Sequence, residues 1–216
     1  MKRSPDYQVY FDFDNTITVF DVLDDIIKRF SINKKWISIE KRWKQGKIGS
    51  KECLKRQLAS VRISRKELLK YLSSIKLDLH FKKLYAFLKD KGIHPVILSD
   101  DFSFIIKRLL LNNDVKGIKV YSNELKFKKD RLVLSFPHTN NSCFMCAHCK
   151  KKNLLKKPFS DKIIYIGDGF SDVCPAKQAD IVFAKGSLLK YFRKAQRKCV
   201  AIKDLGDVYN RLKGVL

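Results

Sequence analysis

The sequence predicts an α/β fold in which a doubly wound parallel sheet carries an inserted α-helical cap and a small β-hairpin. Short apolar runs with strand character lie at residues 7–13, 94–98 and 163–166, and each is followed by polar residues. Residues 21–91 have helical periodicity and no strand pattern. Strand and helix patterns then alternate, which is typical of a parallel sheet. We therefore predict a core made of residues 1–20 and 92–216, interrupted by a cap at 21–91.

The first predicted strand ends in two carboxylates, Asp12 and Asp14, one residue apart. Alternation along a strand puts both side chains on one face, where like charges repel unless a cation lies between them. Ligands of open α/β sheets bind beyond the carboxyl ends of the strands. We therefore predict a Mg²⁺ site here. One carboxylate beside the metal can attack phosphorus, and the other can protonate the leaving oxygen.

Polar groups that suit the same reaction follow the other two strands. Ser99 ends the second strand, where it is suited to hydrogen-bond a phosphoryl oxygen or to cap the next helix. Asp168 follows the third strand between two glycines, as a candidate metal ligand, and Asp172 could ligate the metal or hold a lysine. Three consecutive lysines begin at Lys150, which we favour over Lys151 as the cation that stabilises the transition state.

Together these segments resemble the haloacid dehalogenase (HAD) superfamily of phosphatases, and within it the phosphoserine-phosphatase-like group with a helical cap. The residues that carry this resemblance are 12–16, Ser99, Lys150 and 167–172. The chain is most similar to the methionine-salvage phosphatases, which act on a keto-enol phosphate. The stretches that carry this closer similarity are 46–54, 121–125, 135–138 and 172–176 with 179–185. Relatives that hydrolyse phosphocholine and phosphoethanolamine share the cysteine-rich segment.

The resemblance implies a Rossmann-like, HAD-like core and a role for each matching residue. Asp12 is implied to be the nucleophile that forms an aspartyl-phosphate, and Asp14 the general acid and base whose carbonyl also reaches Mg²⁺. Asp168 is implied to be the third protein ligand, with Asp172 as a further candidate. Ser99 and Lys150 are implied to hold the transferring phosphoryl group.

The candidate substrate contacts are Asn15, Thr16, Asp21 and Asp100. Asp21 occupies the place of a substrate-contacting acid in related amino-acid phosphatases, but it could equally cap the helix that begins at residue 22. The pair Asp100-Asp101 departs from the glycine that usually follows the serine in these relatives. The substrate is a small phosphorylated metabolite, and a methionine-salvage phosphate, phosphoserine and phosphocholine-like or phosphoethanolamine-like headgroups all remain open.

Three cysteines, Cys143, Cys146 and Cys149, have the spacing of a thiolate metal site. His138 or His148 could supply a fourth ligand, and a structural Zn²⁺ would then position the lysine that follows. The alternatives are a disulfide, which a reducing compartment disfavours, and three thiols without a ligand. A zinc-stabilised interaction module with a decayed active site is a rival that the intact phosphatase motifs disfavour.

The net charge is +24, from 46 Lys and Arg against 22 Asp and Glu. Because the basic residues are spread along the whole chain, we predict steering of an anionic substrate and no specific nucleic-acid partner. A basic nucleic-acid-binding protein on the same scaffold is the rival interpretation. No apolar run reaches the roughly 20 residues of a membrane span, and residues 1–6 lack a secretory signal. We therefore expect a cytoplasmic protein without a membrane partner, and the oligomeric state stays open.

Overall fold

A computed structural model describes residues 7–128, 131–155 and 162–216. The described residues form one seven-stranded sheet in the order β4-β3-β2-β1-β5-β6-β7. The strands are β1 (Tyr7–Phe11), β2 (Val96–Phe102), β3 (Lys119–Lys128), β4 (Arg131–Ser135), β5 (Lys162–Gly167), β6 (Ile181–Ala184) and β7 (Val200–Ala201).

Five helices lie between β1 and β2, and five more follow β2 in the described parts of the chain. The first group is α1 (Val22–Phe30), α2 (Lys35–Lys44), α3 (Ser50–Leu58), α4 (Arg65–Ser73) and α5 (Phe81–Asp90). The second is α6 (Ser103–Asn112), α7 (Lys150–Leu154), α8 (Val173–Ala176), α9 (Gly186–Lys194) and α10 (Leu205–Leu212), with a 3₁₀ turn at Phe170–Asp172. None of these helices is long and apolar enough to span a bilayer.

The first strand, β1, lies at the centre of the sheet, and later strands are added on both sides of it. β1 pairs in parallel with β2 on one side and with β5 on the other, so the chain winds outward both ways. This confirms the doubly wound α/β prediction. The long strand β3 pairs in parallel with β2 and then antiparallel with β4, which forms the predicted hairpin at the sheet edge. Residues 129–130, which join the two strands of this hairpin, lie outside the described residues, as does the stretch 1–6.

Alternate residues of β1 pack into two separate hydrophobic cores, one on each face of the sheet. Val9 and Phe11 of β1 face one apolar cluster, which α5, α6 and α10 cover together with cap helices. Tyr10 between them faces a second cluster, covered by α7, α8 and α9. Because both faces are covered, the strands are apolar on both sides, which explains why they read as short continuous apolar runs.

The helical insertion leaves and rejoins the sheet through two adjacent segments. Thr18 forms a β-bridge with Leu77, and the backbone N–H of Asp78 donates to the carbonyl of Ile17 at 2.7 Å. The ring of Phe81 in α5 packs edge-on against Phe11 of β1, with centroids 5.8 Å apart. The predicted domain limits at residues 20 and 91 stay a prediction, although α5 packs against the sheet.

Strand β2 differs from the prediction, because it continues from residue 98 to Phe102. Its pairing with β3 shifts register between Leu98 and Phe102. Within the shift, the backbone N–H of Asp101 donates to the Ser99 hydroxyl at 3.0 Å instead of to a neighbouring strand. The polar run therefore forms an irregular strand end rather than a loop, and it places several polar groups beside β1.

Candidate active site

The tips of β1 and β5 meet as the sequence predicted. The backbone N–H of Asp12 donates to the carbonyl of Ile166 at 2.9 Å, which extends the pairing of β1 and β5 by one step. Carboxylate oxygens of Asp12, Asp168 and Asp172 lie within 4.8 Å of one another. Among the described residues, this is the one cluster of three or more metal-ligating side chains at that spacing.

Negative charge accumulates in this cluster. Burial raises the pKa of Asp12 well above its usual range, the charge of Asp172 adds to this, and Lys150 opposes it. Burial and Asp172 likewise raise the pKa of Asp168 to about 7. Carboxylates placed this close are stabilised in their ionised form by a divalent cation, and oxygen ligands are those that Mg²⁺ prefers. The donor set therefore fits the predicted Mg²⁺.

The side chain of Lys150 lies against the nucleophile candidate. Its Nζ donates to Asp12 Oδ1 at 2.6 Å, to Asp172 Oδ1 at 2.7 Å and to the hydroxyl of Ser171 at 3.1 Å. Lys150 is 2 % exposed, whereas Lys151 is exposed. Burial lowers the pKa of Lys150, but the carboxylates of Asp12 and Asp172 outweigh it and keep the ammonium charged. Of the two candidate lysines, Lys150 is the one that the structure brings to the site.

Asp172 holds this lysine in place. Its Oδ1 accepts hydrogen bonds from Lys150 and from the hydroxyl of Tyr165 at 2.7 Å, while its Oδ2 accepts from the N–H groups of Asp168 at 3.0 Å and Gly169 at 2.9 Å. Both oxygens are thus occupied by the protein. Of the two roles that the sequence left open, this geometry favours holding Lys150 over ligating the metal. Sequence reasoning missed Tyr165, whose only signal was a polar-tipped aromatic residue inside an apolar strand.

Asp14 points away from this cluster, toward the cap. Its Oδ1 accepts from the backbone N–H of Val22 at 2.8 Å, at the start of α1. Burial raises the pKa of Asp14 well above its usual range, and the charges of Asp21 and Asp101 add to the shift. A carboxyl that keeps its proton in this way is suited to act as an acid.

Asp21 both caps a helix and lines the cavity. Its Oδ1 accepts from the backbone N–H of Asp24 at 2.8 Å, which is the capping role that the sequence left open. Burial, with the charge of Asp24 second, raises the pKa of Asp21 to about 6. Because Asp21 also borders the same cavity as Asp12, its role in capping the N-terminus of α1 is compatible with the predicted substrate contact.

His148 anchors the segment before Lys150 to the end of β2. The backbone N–H of His148 donates to Asp100 Oδ1 at 3.0 Å, and its Nδ1 lies 2.8 Å from the carbonyl oxygen of Ser99. Since a carbonyl can only accept, Nδ1 carries the proton, and Nε2 then accepts from the Asn153 side chain at 2.6 Å. These bonds tie Lys150 and Ser99 into one rigid unit without a metal ion.

The structure brings only part of the predicted zinc site together. The thiols of Cys143 and Cys146 are in contact, but with Cys149 and His138 they form no group of three or more at metal-ligand spacing in the described chain, and none of the six cysteines is in a disulfide. Cys149 directly precedes α7, and its N–H donates to the His138 carbonyl at 2.8 Å. Neither a structural Zn²⁺ nor a disulfide is therefore supported, and the backbone contacts and His148 stabilise this segment.

A cavity of about 190 Å³ joins these groups to the inner face of the cap. Ser99, Asp100 and Lys150 line its core side. Cap residues that sequence reasoning did not place in the site line the opposite side. They are Leu23, Asp24, Glu40, Trp43, Ser50, Cys53, Leu54 and Gln57.

The two remaining predicted contacts differ in position. Asn15 lines the cavity and adopts a left-handed backbone conformation with φ of 52°, which asparagine tolerates. Thr16 is fully buried, and its hydroxyl has no hydrogen-bond partner among the described residues. Thr16 does not border the cavity as the structure describes it. Substrate contact by either residue stays a prediction.

A family model described as Putative Phosphatase matches residues 7–198, which is most of the chain. The chain belongs to this phosphatase family. It is 28% identical to a 2-hydroxy-3-keto-5-methylthiopentenyl-1-phosphate phosphatase of Geobacillus thermodenitrificans over 94% of both chains. It is 26% identical to Pdp3-interacting factor 1 of Schizosaccharomyces pombe over 98% of this chain and 97% of the other. Both similarities extend over nearly the full length of each protein.

The fold is similar to that of a substrate-bound phosphoserine phosphatase complex, with a TM-score of 0.74 at 18% identity, covering 98% of this chain and 99% of the other. These findings confirm that the phosphatase is HAD-like and close to the methionine-salvage branch. The family model also confirms the predicted enzyme class, a phosphatase.

Proposed function

We propose that this phosphatase is a Mg²⁺-dependent phosphomonoesterase that works through an aspartyl-phosphate on Asp12. One observation carries the proposal: Asp12 lies beside two further carboxylates and hydrogen-bonds at 2.6 Å to the buried ammonium of Lys150. Mg²⁺, when bound by Asp12, Asp168 and the carbonyl of Asp14, would supply positive charge that offsets the charge of the phosphate. We assign no ligand role to Asp172, whose oxygens hold Lys150.

In the first step, a carboxylate oxygen of Asp12 attacks phosphorus, and the bond between phosphorus and the ester oxygen breaks. Asp14, whose raised pKa favours the protonated form, donates its proton to the leaving alcohol. Lys150 orients the nucleophile and, with the Ser99 hydroxyl, stabilises charge on the phosphoryl oxygens. In the second step, Asp14 takes a proton from water as the water attacks phosphorus, and Asp12 leaves as a carboxylate.

We also propose that α1 to α4 act as the cap that selects the leaving group. The paired segments around Thr18 and Leu77 mark where the cap leaves and rejoins the core. The contact of α5 with β1 supports counting α5 with the core, so the cap that we propose is shorter at its C-terminal end than the predicted 21–91. Closure of the cap over the cavity would exclude bulk water from the phosphoryl-enzyme.

Two substrate classes merit testing. A methionine-salvage keto-enol phosphate is the first candidate, since a protein similar over 94% of this chain is named 2-hydroxy-3-keto-5-methylthiopentenyl-1-phosphate phosphatase. Phosphoserine or a phosphorylated amino alcohol, such as phosphoethanolamine or phosphocholine, is the second. It is supported by the cap side of the cavity, which is lined by Asp21, Asp24 and Glu40 and also by Trp43. Carboxylates and an aromatic face together suit an ammonium group.

A cytoplasmic location, the lack of a membrane partner and the lack of a specific nucleic-acid partner stay predictions. No arrangement of described residues favours the rival nucleic-acid function, which rests on the +24 charge alone. Binding of an oligonucleotide that persists at physiological salt would support that rival, whereas weak binding that vanishes with salt would count against it.

The central experiment compares Asp12→Asn with the wild type on an aryl phosphate, with Mg²⁺ and with a chelator. We expect Asp12→Asn and chelation each to abolish turnover while thermal unfolding stays close to that of the wild type. The matched control is Asp90→Asn, an exposed aspartate at the end of α5, which should keep full activity. Near-normal turnover by Asp12→Asn would refute the mechanism. A panel of the candidate phosphomonoesters then ranks the substrates.

A further inference from the structure

Asp101 has a buried carboxylate oxygen without a partner. The residue is 2 % exposed, and its Oδ1 accepts from the backbone N–H of Phe102 at 2.6 Å. Its Oδ2 has no hydrogen-bond partner among the described residues. Buried polar atoms in folded proteins are nearly always paired, so an exception calls for a ligand or another specific cause.

This oxygen belongs to a side chain that lines the reaction cavity. Asp101 borders the same cavity as Asp12, Ser99 and Lys150. Asn123 carries another buried amide oxygen without a partner in the described structure, but Asn123 does not line that cavity. Position therefore separates the two residues: Asp101 alone of this pair is placed to meet a substrate.

Asp101 and the proposed acid Asp14 line the same cavity, and they lie close enough for the charge of Asp101 to act on Asp14. The charge of Asp21 acts on both residues. Asp14 has to face the oxygen that leaves with the alcohol, because it donates the proton to that oxygen. A neighbouring side chain on this wall then faces the substituent on the next carbon of the alcohol.

We propose that the unpaired oxygen of Asp101 binds a hydrogen-bond donor, a hydroxyl or an ammonium, on the carbon next to the ester carbon of the substrate. Asp101 thereby selects phosphates of 1,2-diols and 2-amino alcohols over simple alkyl phosphates. This inference rests on the proposed phosphomonoesterase activity. It assigns a function to the residue at which the sequence departs from the usual glycine.

The test uses three substrates that differ at one atom: ethyl phosphate, 2-hydroxyethyl phosphate and 2-aminoethyl phosphate. Phosphate release gives kcat/KM for the wild type, Asp101→Ala and Asp101→Asn. We expect the wild type to prefer at least one donor substrate over ethyl phosphate by about tenfold or more, as one hydrogen bond to a buried polar group allows. Asp101→Ala should remove that preference, which is measured within each variant as the ratio of kcat/KM for a donor substrate to kcat/KM for ethyl phosphate.

Asp101→Asn distinguishes the two donors. An amide oxygen still accepts from a hydroxyl, so the preference for 2-hydroxyethyl phosphate should persist. Burial raises the pKa of Asp101 well above its usual range, and an ammonium would favour the ionised form. Because an amide cannot ionise, Asp101→Asn should remove the preference for an ammonium, and the 2-aminoethyl substrate should fall about tenfold. If the preference for a donor substrate persists in Asp101→Asn and is lost in Asp101→Ala, Asp101 binds a hydroxyl of the substrate. If the preference is lost in both variants, Asp101 binds an ammonium.

Asn113→Ser is the matched control, because it alters a buried polar residue that does not line the cavity and whose amide donates to the carbonyls of Ile75 and Leu109. We expect it to change kcat/KM by the same factor for all three substrates. An equal loss across the three substrates in Asp101→Ala would indicate a purely structural role and overturn the proposal. Thermal unfolding of each variant identifies misfolding, in which case Asp101→Asn carries the test.

Failure of the two proposals is distinguishable. If the wild type hydrolyses an aryl phosphate but shows no preference for either donor substrate, the role of Asp101 is refuted and the phosphatase mechanism stands. If the wild type hydrolyses no phosphomonoester at all, the proposed function fails first and the inference about Asp101 fails with it.

Discussion

The two walls of the cavity differ in how completely their polar groups are paired. On the core wall, which Asp12, Ser99 and Lys150 line, Lys150 donates three hydrogen bonds, and Asp172 behind it accepts four. On the cap-facing wall, which Asp14, Asp21 and Asp101 line, Asp101 keeps an oxygen without a partner among the described residues, and the pKa of Asp21 is raised to about 6 by burial and by Asp24. Complete pairing fixes geometry, whereas unpaired groups are free to bind a ligand.

This difference suggests a division of labour. The core wall presents one rigid arrangement of nucleophile and cation that suits any phosphoryl group. The cap-facing wall carries the groups that distinguish one alcohol from another. If this is correct, changes to the core wall or to the proposed acid Asp14 lower the rate for every substrate, and other changes to the cap-facing wall alter stability or substrate choice.

Lys150→Met is the strongest test of whether a change on the core wall lowers the rate for every substrate. Loss of the ammonium removes both the partner of Asp12 and the positive charge on the phosphoryl group, so we expect kcat/KM to fall about 10²–10³-fold for all substrates alike. The matched control is Lys151→Met, the exposed next residue, which should stay near the wild-type rate. Comparable losses in the two variants, or a loss confined to one substrate, would contradict the assignment.

A second change tests whether Asp172 acts by holding the lysine. Asp172→Asn keeps the shape but removes the charge that fixes Lys150 and turns one acceptor into a donor. We expect about 10–100-fold lower kcat, as for other residues that orient a catalytic group. Tyr165→Phe removes only one of the four hydrogen bonds to Asp172 and should cost less than about tenfold. A Tyr165→Phe loss that equals the Asp172→Asn loss would show that the network, rather than the carboxylate, sets the rate.

The core wall was largely predictable from the sequence, and the cap-facing wall was not. Apolar runs that end in Asp12 and Asp168 identify parallel strands, and the topology of such sheets brings their tips together. No comparable rule fixes where Asp14 points, because its partner is the N–H of Val22 in an element that the sequence places only roughly. The orientation of Asp101 likewise depends on an irregular strand end.

The cysteine segment shows a different limit. The spacing of Cys143, Cys146 and Cys149 matches a metal site, but spacing along the chain does not fix the distance between sulfur atoms. The contacts that hold the segment are those of His148 with Ser99 and Asn153, which are far apart in the sequence or carry no pattern. The zinc prediction was therefore not supported, although the expected result, a fixed Lys150, is observed.

A smaller effect is expected where the cap meets the core. A Cβ added to Gly49 would lie 1.8 Å from the carbonyl oxygen of Phe144, next to the hydrogen bond that Ser50 N–H donates to Met145 at 2.8 Å. Gly49→Ala must push these backbones apart, so we expect a loss of about 2 kcal/mol in the free energy of unfolding. Because α3 lines the cavity, KM should also rise.

Gly214→Ala is the control for that change, since its added Cβ would meet its nearest neighbour at 3.7 Å, an ordinary contact. Urea unfolding of both variants gives the comparison. Equal stability of Gly49→Ala and Gly214→Ala would mean that the cap and the cysteine segment are not in firm contact. A rise in KM without loss of stability would place the effect in the cavity alone.

The smallest expected effect concerns the charge of Asp21. Its pKa of about 6 lies above the ordinary value of 3.8, so the folded protein binds this proton more tightly than the unfolded chain does. Stability from this group is therefore present at low pH and is lost as the pH rises from about 4 to about 6.

Asp21→Asn keeps the hydrogen bond from the N–H of Asp24 that caps α1, and it removes the ionisation. We expect it to be more stable than the wild type by on the order of 1 kcal/mol at pH 7.5, and nearly equal to it at pH 4. Unfolding at the two pH values, with Asp21→Ala to measure the cap separately, checks this. A gap between Asp21→Asn and the wild type that does not change with pH would mean that Asp21 is solvated, and that the cap-facing wall holds less unpaired charge than its geometry indicates.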